Sequence, residues 1–211
     1  MNYRSILCAV LISVLASGCS HSKRKADLIE NYEKHERQIH EAIRFFEDII
    51  PKKFIVRIRY NSFDRIDLVV YEKENNSEEN ELLFHKWDLD IDNYIEEPQT
   101  TYERKYNGKT NSFELVKRKL NWTNDTFRNL YAKLESANCI GISNWKPIEV
   151  EYGFNGLGVY SYKIFKNKLS EDELKRHNDG CNNIYYKDKV VLSYIGGAIG
   201  MQCFEDFYQQ N

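Results

Sequence analysis

Three aspartates alternate with apolar residues near the middle of the chain, at Asp88, Asp90 and Asp92. This spacing matches the beginning of a calcium-binding loop, which also needs a glycine at its sixth position and a glutamate at its twelfth. The chain has Asn93 and Gln99 at those positions. In a strand, the same alternation places the three carboxylates on one solvated face. We therefore expect a solvent-facing acidic edge and no metal centre, with a weak divalent-cation site as the alternative.

The charged residues around this run are segregated by sign. Residues 72–97 hold ten acidic and two basic side chains, whereas residues 101–121 hold six basic and two acidic ones. Adjacent elements of opposite sign are expected to pair with each other in a sheet. The functional alternative is a basic protein partner that docks on the acidic segment, with Asp88, Asp90 and Asp92 in the contact surface.

Five cysteines are present, and three of them fall in the folded part of the chain, at Cys139, Cys181 and Cys203. In an oxidising compartment, three cysteines allow one disulfide and leave one thiol. Cys181 and Cys203 flank a predicted hairpin and are the favoured pair, while pairing of Cys139 with either one is the alternative. A lone thiol acts as a nucleophile only with a histidine nearby in space, and free cysteines are more often small buried hydrophobes.

Residues 1–18 have the features of a bacterial signal peptide. The basic residue Arg4 precedes an apolar run at residues 6–15, which is too short to span a bilayer comfortably as a helix. Small residues follow and end at Cys19. This pattern resembles that of lipoprotein precursors, which are cleaved before the cysteine and acylated on its sulfur and amine with chains such as palmitate. We expect the mature chain to begin at Cys19.

The lipidation pattern also predicts how the mature chain is organised. Two or three acyl chains on Cys19 make a firm membrane anchor. Residues 19–25 are then the lipidated cysteine with a short polar tether, and residues 26–211 form one folded domain. The residue after the cysteine is Ser20 and not aspartate, which favours the outer membrane over the inner membrane by analogy with enteric bacteria.

Glycine and tyrosine residues concentrate near the C-terminus. Gly196 and Gly197 lie in a glycine-rich segment that lacks the Lys-Ser/Thr of a phosphate-binding loop. We attribute these glycines to positive φ or to close backbone approach at a turn. The fifteen tyrosines favour cross-strand aromatic packing in the core. The alternative is a ligand-binding region in which Tyr160, Tyr162 and the glycine-rich loop stack against a sugar or a peptide.

The spacing of apolar residues predicts the helices. Residues 26–50 carry apolar side chains at steps of three and four, which predicts an amphipathic helix that Pro51 ends. A second helix is predicted at residues 125–137, and a short one at residues 170–177 after a capping box.

Alternation with a period of two predicts the strands. They are residues 54–60, 65–71, 82–92, 101–106, 148–152, 158–165, 183–186 and 190–194. Residues 112–120 are predicted as the strand that completes a hairpin at Asn107-Gly108, or as a short helix. Runs of strands after single helices indicate an α+β fold, in which two main helices pack on antiparallel hairpins. Residues 56–72 align without gaps on residues 150–166, which raises the alternative of two helix-plus-hairpin halves.

Composition excludes several classes of protein. The chain has 211 residues, of which 42% are apolar and 29% charged, with ten Gly and three Pro, so it is not a disordered tract, a collagen-like chain or a multi-pass membrane protein. The formal net charge of −2 provides no global basic field for nucleic acid. The sequence has no zinc-ligand spacing, hydrolase elbow or cofactor motif. We therefore expect no cofactor, and binding in preference to catalysis.

Four segments of the C-terminal half form a recognisable set. They are Ala-Asn-Cys-Ile at 137–140, Tyr-Ser-Tyr at 160–162, Val-Val-Leu at 190–192 and Gly-Gly-Ala-Ile-Gly-Met-Gln-Cys-Phe at 196–204. Together, over residues 120–205, they resemble a family of small envelope lipoproteins from Bacteroidales-type bacteria. The resemblance implies an envelope location but no activity, because none is assigned to that family. We expect a membrane-anchored lipoprotein that binds a protein partner, with a glycan- or peptide-binding or hydrolytic envelope protein as the alternative.

Overall fold

The computed structural model describes residues 24–73, 80–96 and 111–209, with side chains up to residue 207. Within these ranges the chain forms four α-helices, eight strands and a short 3-10 helix at Glu205–Gln209. The helices are α1 (Lys25–Ile49), α2 (Phe113–Leu120), α3 (Asn124–Ser136) and α4 (Glu171–Arg176). The strands are β1 (Phe54–Tyr60), β2 (Arg65–Lys73), β3 (Asn80–Asp90), β4 (Gly141–Ser143), β5 (Ile148–Asn155), β6 (Gly158–Ile164), β7 (Asn183–Lys187) and β8 (Val190–Ile195). The predicted α+β class is confirmed.

All eight described strands belong to one antiparallel sheet, in the order β3-β2-β1-β4-β5-β6-β8-β7. The three-residue strand β4 lies at the centre and joins two antiparallel groups of strands. Helix α1 lies over β5 and β6 and contacts α3, while α2 contacts β3. Apolar side chains from these helices and from one face of the sheet form the core. We call the opposite face of the sheet the outer face.

Helix α1 confirms the predicted amphipathic helix and contains one irregular residue. Its buried stripe includes Leu28, Tyr32, Ile39 and Phe46. At His35 the backbone leaves helical geometry, with φ −122° and ψ 18°. The His35 Nδ1 atom lies 3.3 Å from the carbonyl oxygen of the residue four positions earlier. A side chain that competes for a helix carbonyl is a recognised cause of a kink.

Helix α2 corrects the prediction of a strand at residues 112–120 and confirms the alternative of a short helix. The Ser112 hydroxyl accepts a hydrogen bond from the amide of Leu115 at 3.2 Å and caps the helix start. Asn121 ends the helix in the left-handed conformation. The predicted strand at 101–106 and the Asn107-Gly108 turn lie outside the described residues.

The hairpins β1–β2 and β5–β6 occupy corresponding places on either side of β4, but they turn in opposite directions. Strands β1 and β5 are parallel to each other, because each is antiparallel to β4. Their core-facing residues lie on the same face of the sheet. Strand β2 nevertheless lies on one side of β1, and β6 lies on the opposite side of β5. No rotation can superpose one hairpin on the other, because the second strand lies on opposite sides of the first in the two cases. The aligned segments therefore share an alternating pattern of apolar residues but are not a repeated structural unit.

The predicted signal peptide, Cys19 and most of the tether lie outside the described residues. Among the helices that the structure describes, none combines the length and the apolar character that a bilayer crossing requires.

Candidate functional site

A continuous row of residues crosses the outer face at the same level in seven neighbouring strands. We call it the polar row. Its members in sheet order are Asp67, Arg59, Gly141, Glu151, Ser161, Ser193 and Asn183. Backbone pairing sets this order, because residues in register on an antiparallel sheet share one face.

The centre of the polar row is Glu151, whose side chain is only 4% exposed. Arg57 Nη2 donates to Glu151 Oε1 at 2.7 Å, and Arg59 Nε donates to Glu151 Oε2. Arg59 also forms an ion pair with Asp67 at 3.8 Å. Burial acts to lower the pKa of Arg57, but the Glu151 carboxylate outweighs burial, so the pKa of Arg57 is raised. The arrangement fixes two guanidinium groups on the outer face.

Gly141 makes this ion pair geometrically possible. It lies in register between Arg59 and Glu151, so the paired residues are two strands apart. A Cβ atom at Gly141 would lie 2.8 Å from the carbonyl oxygen of Ile58 and 3.1 Å from Glu151 Oε2. The absence of a side chain therefore leaves the space that the carboxylate and guanidinium groups occupy.

The other half of the outer face is polar and hydrogen-bonded. The Ser161 hydroxyl donates to Glu149 Oε1 at 2.6 Å, and Lys163 Nζ donates to Asn183 Oδ1 at 2.7 Å. The Ser193 hydroxyl also donates to Asn183 Oδ1, at 3.3 Å. Acidic and basic groups thus alternate across the sheet. Ser161, Ser193 and Glu151 are buried, so these groups satisfy one another within the chain and order the outer face.

Aromatic side chains lie beside the polar row on the outer face. We call Trp145, Tyr71, His85 and Trp87 the aromatic strip. The rings of Trp145 and Tyr71 are 5.8 Å apart, and those of His85 and Trp87 are 4.8 Å apart. Val69 lies between these two pairs. It is in register with His85, and it is two residues from Tyr71 on the same face of β2. Trp145 is 42% exposed and Trp87 is 58% exposed, so the strip presents large apolar surfaces to solvent.

The structure contradicts the interaction surface predicted at Tyr160 and Tyr162, and confirms the alternative of core packing. Both side chains are fully buried on the helix-covered side of the sheet. The Tyr162 hydroxyl donates to the carbonyl oxygen of Leu28 at 2.8 Å, and the Tyr160 hydroxyl donates to Glu205 Oε2 at 2.9 Å. Burial raises the pKa of both hydroxyl groups. These tyrosines therefore cannot form a stacking surface.

The three aspartates of the acidic run have separate partners within the chain. Asp88 forms an exposed ion pair with Arg65, which lowers the pKa of the Asp88 carboxyl group. Asp90 accepts backbone N–H groups of the following turn, which lowers its pKa. Strand β3 ends at Asp90, so Asp92 lies in that turn, where it pairs with Arg128 at 2.7 Å. In the described part of the chain, no cluster of three His, Cys, Asp or Glu side chains could hold a metal ion.

The cysteines of the folded part have two different environments. Cys181 and Cys203 form a disulfide, which is the pair that the sequence favoured. Cys139 is free and buried. Burial raises the pKa of its thiol to about 12, against a smaller opposite effect of the Asn31 amide. At neutral pH the thiol is therefore protonated and unsuited to nucleophilic attack.

The predicted interaction residues Gly196 and Gly197 allow close backbone approach in the loop after β8. A Cβ atom at Gly197 would lie 2.2 Å from the Cβ of Leu157, and one at Gly196 would lie 2.8 Å from the carbonyl oxygen of Met201. The Gln202 side chain donates to the Gly197 carbonyl oxygen at 2.9 Å. The expectation of close approach is confirmed, and positive φ is found instead at the nearby Gly200.

A polar cleft of about 280 Å³ lies beside the irregular turn of α1, with Asn31 at its floor. The Asn31 amide donates to the carbonyl oxygen of Ala137 at 3.2 Å and to the Tyr162 hydroxyl at 3.1 Å. Its Oδ1 accepts from Asn138 at 2.8 Å and lies 3.0 Å from Nδ1 of His35. Because these groups satisfy one another, the cleft has a structural role in joining α1 to the end of α3.

No known protein family, curated protein or solved structure matches the chain. The site therefore rests on its own geometry. Sequence reasoning did not select Arg57, Arg59 or Glu151 as functional candidates. The available signal was a pair of basic residues at alternate positions of β1 and a pair of acidic residues at alternate positions of β5.

Proposed function

We propose that this chain is a lipid-anchored protein of the bacterial envelope that binds a protein partner and does not catalyse a reaction. The partner binds the outer face of the sheet. The observation that carries this proposal is the exposure of Trp87 and Trp145 beside the buried ion pairs of Glu151. Large exposed aromatic surfaces next to an ordered polar region are typical of interaction sites.

The composition of the outer face favours a protein as the ligand. Tryptophan, tyrosine and arginine contribute most of the binding energy at protein interfaces. The aromatic strip supplies Trp87, Trp145 and Tyr71, and Arg57 lies in register with Val69 at its centre. The Arg57 side chain is 40% exposed while it is held by Glu151. An arginine already fixed by a carboxylate loses less conformational freedom when a partner binds.

The proposed location rests on the N-terminal sequence. Residues 1–18 and Cys19 follow the lipoprotein pattern, and the resemblance of residues 120–205 to envelope lipoproteins supports the same compartment. The Cys181–Cys203 disulfide agrees with an oxidising environment. Ser20 after the anchor supports the outer membrane as the site of attachment.

Substitution of the exposed tryptophans tests the binding proposal. Trp145→Ala and Trp87→Ala are each made in the full lipidated chain. Each is expected to abolish or strongly reduce the amount of partner that co-purifies from crosslinked envelopes. Ile95→Ala is the matched control, because Ile95 is 80% exposed and lies outside the aromatic strip. Thermal unfolding of each variant shows whether the fold is intact. A partner retained equally by all three variants, or no saturable partner at all, would contradict the proposal.

The anchor is tested separately from the binding face. Cys19→Ala is expected to abolish incorporation of a radiolabelled fatty acid and to remove the acyl mass from the chain. Incorporation that persists in Cys19→Ala would show that Cys19 is not the lipidated residue.

A further inference from the structure

Two loops at one corner of the sheet contain no charged residue. They are the β5–β6 turn region at residues 153–160 and the segment at residues 194–204. Because 29% of the whole chain is charged, a complete absence of charge over nineteen residues marks these loops as distinct. They contain five of the exposed large apolar residues, which we call the apolar tip. These residues are Phe154, Leu157, Ile195, Ile199 and Met201.

The two loops form one continuous surface. Phe154 is in register with Val159, and Val159 is in register with Ile195 on the next strand, so these residues lie side by side. Leu157 at the hairpin turn lies directly against the backbone of Gly197. The apolar residues of both loops therefore face the surroundings together.

The polypeptide enters the fold at the same corner. The backbone N–H of Lys25, the first residue of α1, donates to Glu205 Oε1 at 2.8 Å. The other oxygen of that carboxylate accepts from the hydroxyl of Tyr160, which is two residues from the turn end of β6. The Lys25 ammonium group also pairs with Asp206 at 2.5 Å. These contacts fix the start of α1 beside the end of β6 that carries the apolar tip.

The length of the tether limits how far this corner can lie from the membrane. Lys25 is six positions after Cys19, and a fully extended chain spans about 20 Å over six positions. Lipidation at Cys19, on which this inference rests, therefore keeps Lys25 within about 20 Å of the acyl chains. The basic residues at positions 23 and 24 add attraction to anionic headgroups, whereas Lys25 is paired with Asp206.

We propose that the apolar tip inserts into the membrane interface next to the lipid anchor and fixes the orientation of the protein. Apolar side chains favour the boundary between headgroups and acyl chains, and the Arg59 guanidinium, which lies 5.0 Å from the centre of the Phe154 ring, is held by Glu151. The Cys181–Cys203 disulfide holds the end of the second loop against the start of β7. The tip is thereby ordered before it meets the bilayer.

A fluorescent probe at the tip tests this proposal on the full lipidated chain. Ile199→Cys and Leu157→Cys carry an environment-sensitive fluorophore, and Lys166→Cys, exposed beyond the opposite end of β6, is the control. The native thiols do not interfere, because Cys139 is buried and the other two form a disulfide. Each protein is reconstituted into vesicles of phosphatidylethanolamine and phosphatidylglycerol that contain a nitroxide-labelled lipid.

The expected result is a blue-shifted emission and several-fold stronger nitroxide quenching for the probes at 199 and 157 than for the probe at 166. Equal, weak quenching at all three positions in vesicle-bound protein would overturn the proposal while leaving the anchor intact. A chain that carries no acyl group and does not stay with the vesicles would instead overturn the anchor. A blue-shifted emission that is seen in native envelopes but not in vesicles that contain no other protein would overturn membrane insertion. It would identify the tip as a second contact site for a protein.

Discussion

Arg59 and Glu151 form an ion pair across an intervening strand, because the residue between them is Gly141. Neighbouring strands are about 4.8 Å apart, so the two backbones are separated by about 10 Å. The pair couples β1 of the first group of strands to β5 of the second through side chains as well as through β4. The outer face therefore keeps a fixed pattern of charges over β4, the three-residue strand that joins the two groups.

Glu151→Gln is expected to lower the free energy of unfolding by about 3 kcal/mol, because it removes the carboxylate that holds both Arg57 and the mostly buried Arg59, and leaves Arg59 with the more distant Asp67, at 3.8 Å. The Arg59 side chain is only 12% exposed. Asp88→Asn is the control, because it removes an exposed ion pair with Arg65 that water and salt screen, and it should cost much less than Glu151→Gln. Urea unfolding measures both values. Equal effects of the two substitutions would show that the Glu151 pair has no special structural role.

Removal of the disulfide by Cys181→Ala with Cys203→Ala is expected to destabilise the protein by about 3 kcal/mol, since the crosslink closes a loop of about 23 residues. The two cysteines are 22 positions apart in sequence. Urea unfolding under oxidising and reducing conditions provides the comparison. Reducing agent should shift the wild-type midpoint to that of the double variant and leave the variant unchanged. A wild-type midpoint insensitive to reduction would contradict the structure at this bond.

Asn31→Ala is expected to cost about 1–3 kcal/mol, because it leaves buried polar groups on α1 and at the end of α3 without their partner. Asn31 is buried and bonds to Ala137, Asn138 and Tyr162. Asn61→Ala, at an exposed position, should change the free energy of unfolding by about 0.5 kcal/mol or less. A combined Asn31→Ala and Tyr162→Phe variant should cost less than the sum of the single changes. Full additivity would show that the two side chains do not interact.

Stability is expected to fall as the solution becomes mildly acidic, partly through His40. Burial lowers the pKa of its imidazole below the ordinary value of 6.5, and Lys189 lowers it further, although Glu36 acts in the opposite direction. The unfolded chain therefore binds this proton at a higher pH than the folded chain. The contribution of neutral His40 to stability is complete above the pKa that this imidazole has in the unfolded chain. It is lost as the pH falls from that value toward the lower pKa in the folded chain.

Melting temperatures between about pH 7.5 and about pH 5.5 test this linkage, because histidine is the residue that normally titrates there. His40→Gln should flatten the profile. Burial also lowers the pKa of His177, so His177→Gln provides the comparison and should leave the His40 contribution in place. An unchanged slope in His40→Gln would exclude the predicted role.

The local elements were largely predictable, because they depend on neighbouring residues. The three-to-four spacing of apolar residues in α1, the cap at Thr123 and the capping box at Ser170 are all visible in sequence. Helix α2 was ambiguous, since a short amphipathic segment fits both periods and only the Ser112 cap decides the outcome. Strand β4 was missed because three residues are too few to show an alternation.

The candidate site was not predictable, because it depends on contacts between distant parts of the chain. Arg57 and Glu151 are 94 positions apart, and β4 brings them together. Tyr160 and Tyr162 were assigned as possible surface residues, although Ser161 and Lys163 alternate with them and take the outer face. The alternation identifies two faces, but tertiary packing of α1 decides which one is buried.

Site-specific photo-crosslinking in living cells tests the central proposal most directly. A photo-reactive amino acid replaces Trp145 on the outer face, or Lys34 on the exposed side of α1 as the control. We expect one discrete crosslinked protein at position 145 that is absent at position 34 and is lost when Trp87→Ala is added. Identical products at both positions, or no product at position 145 in a folded, membrane-bound chain, would contradict binding through the outer face.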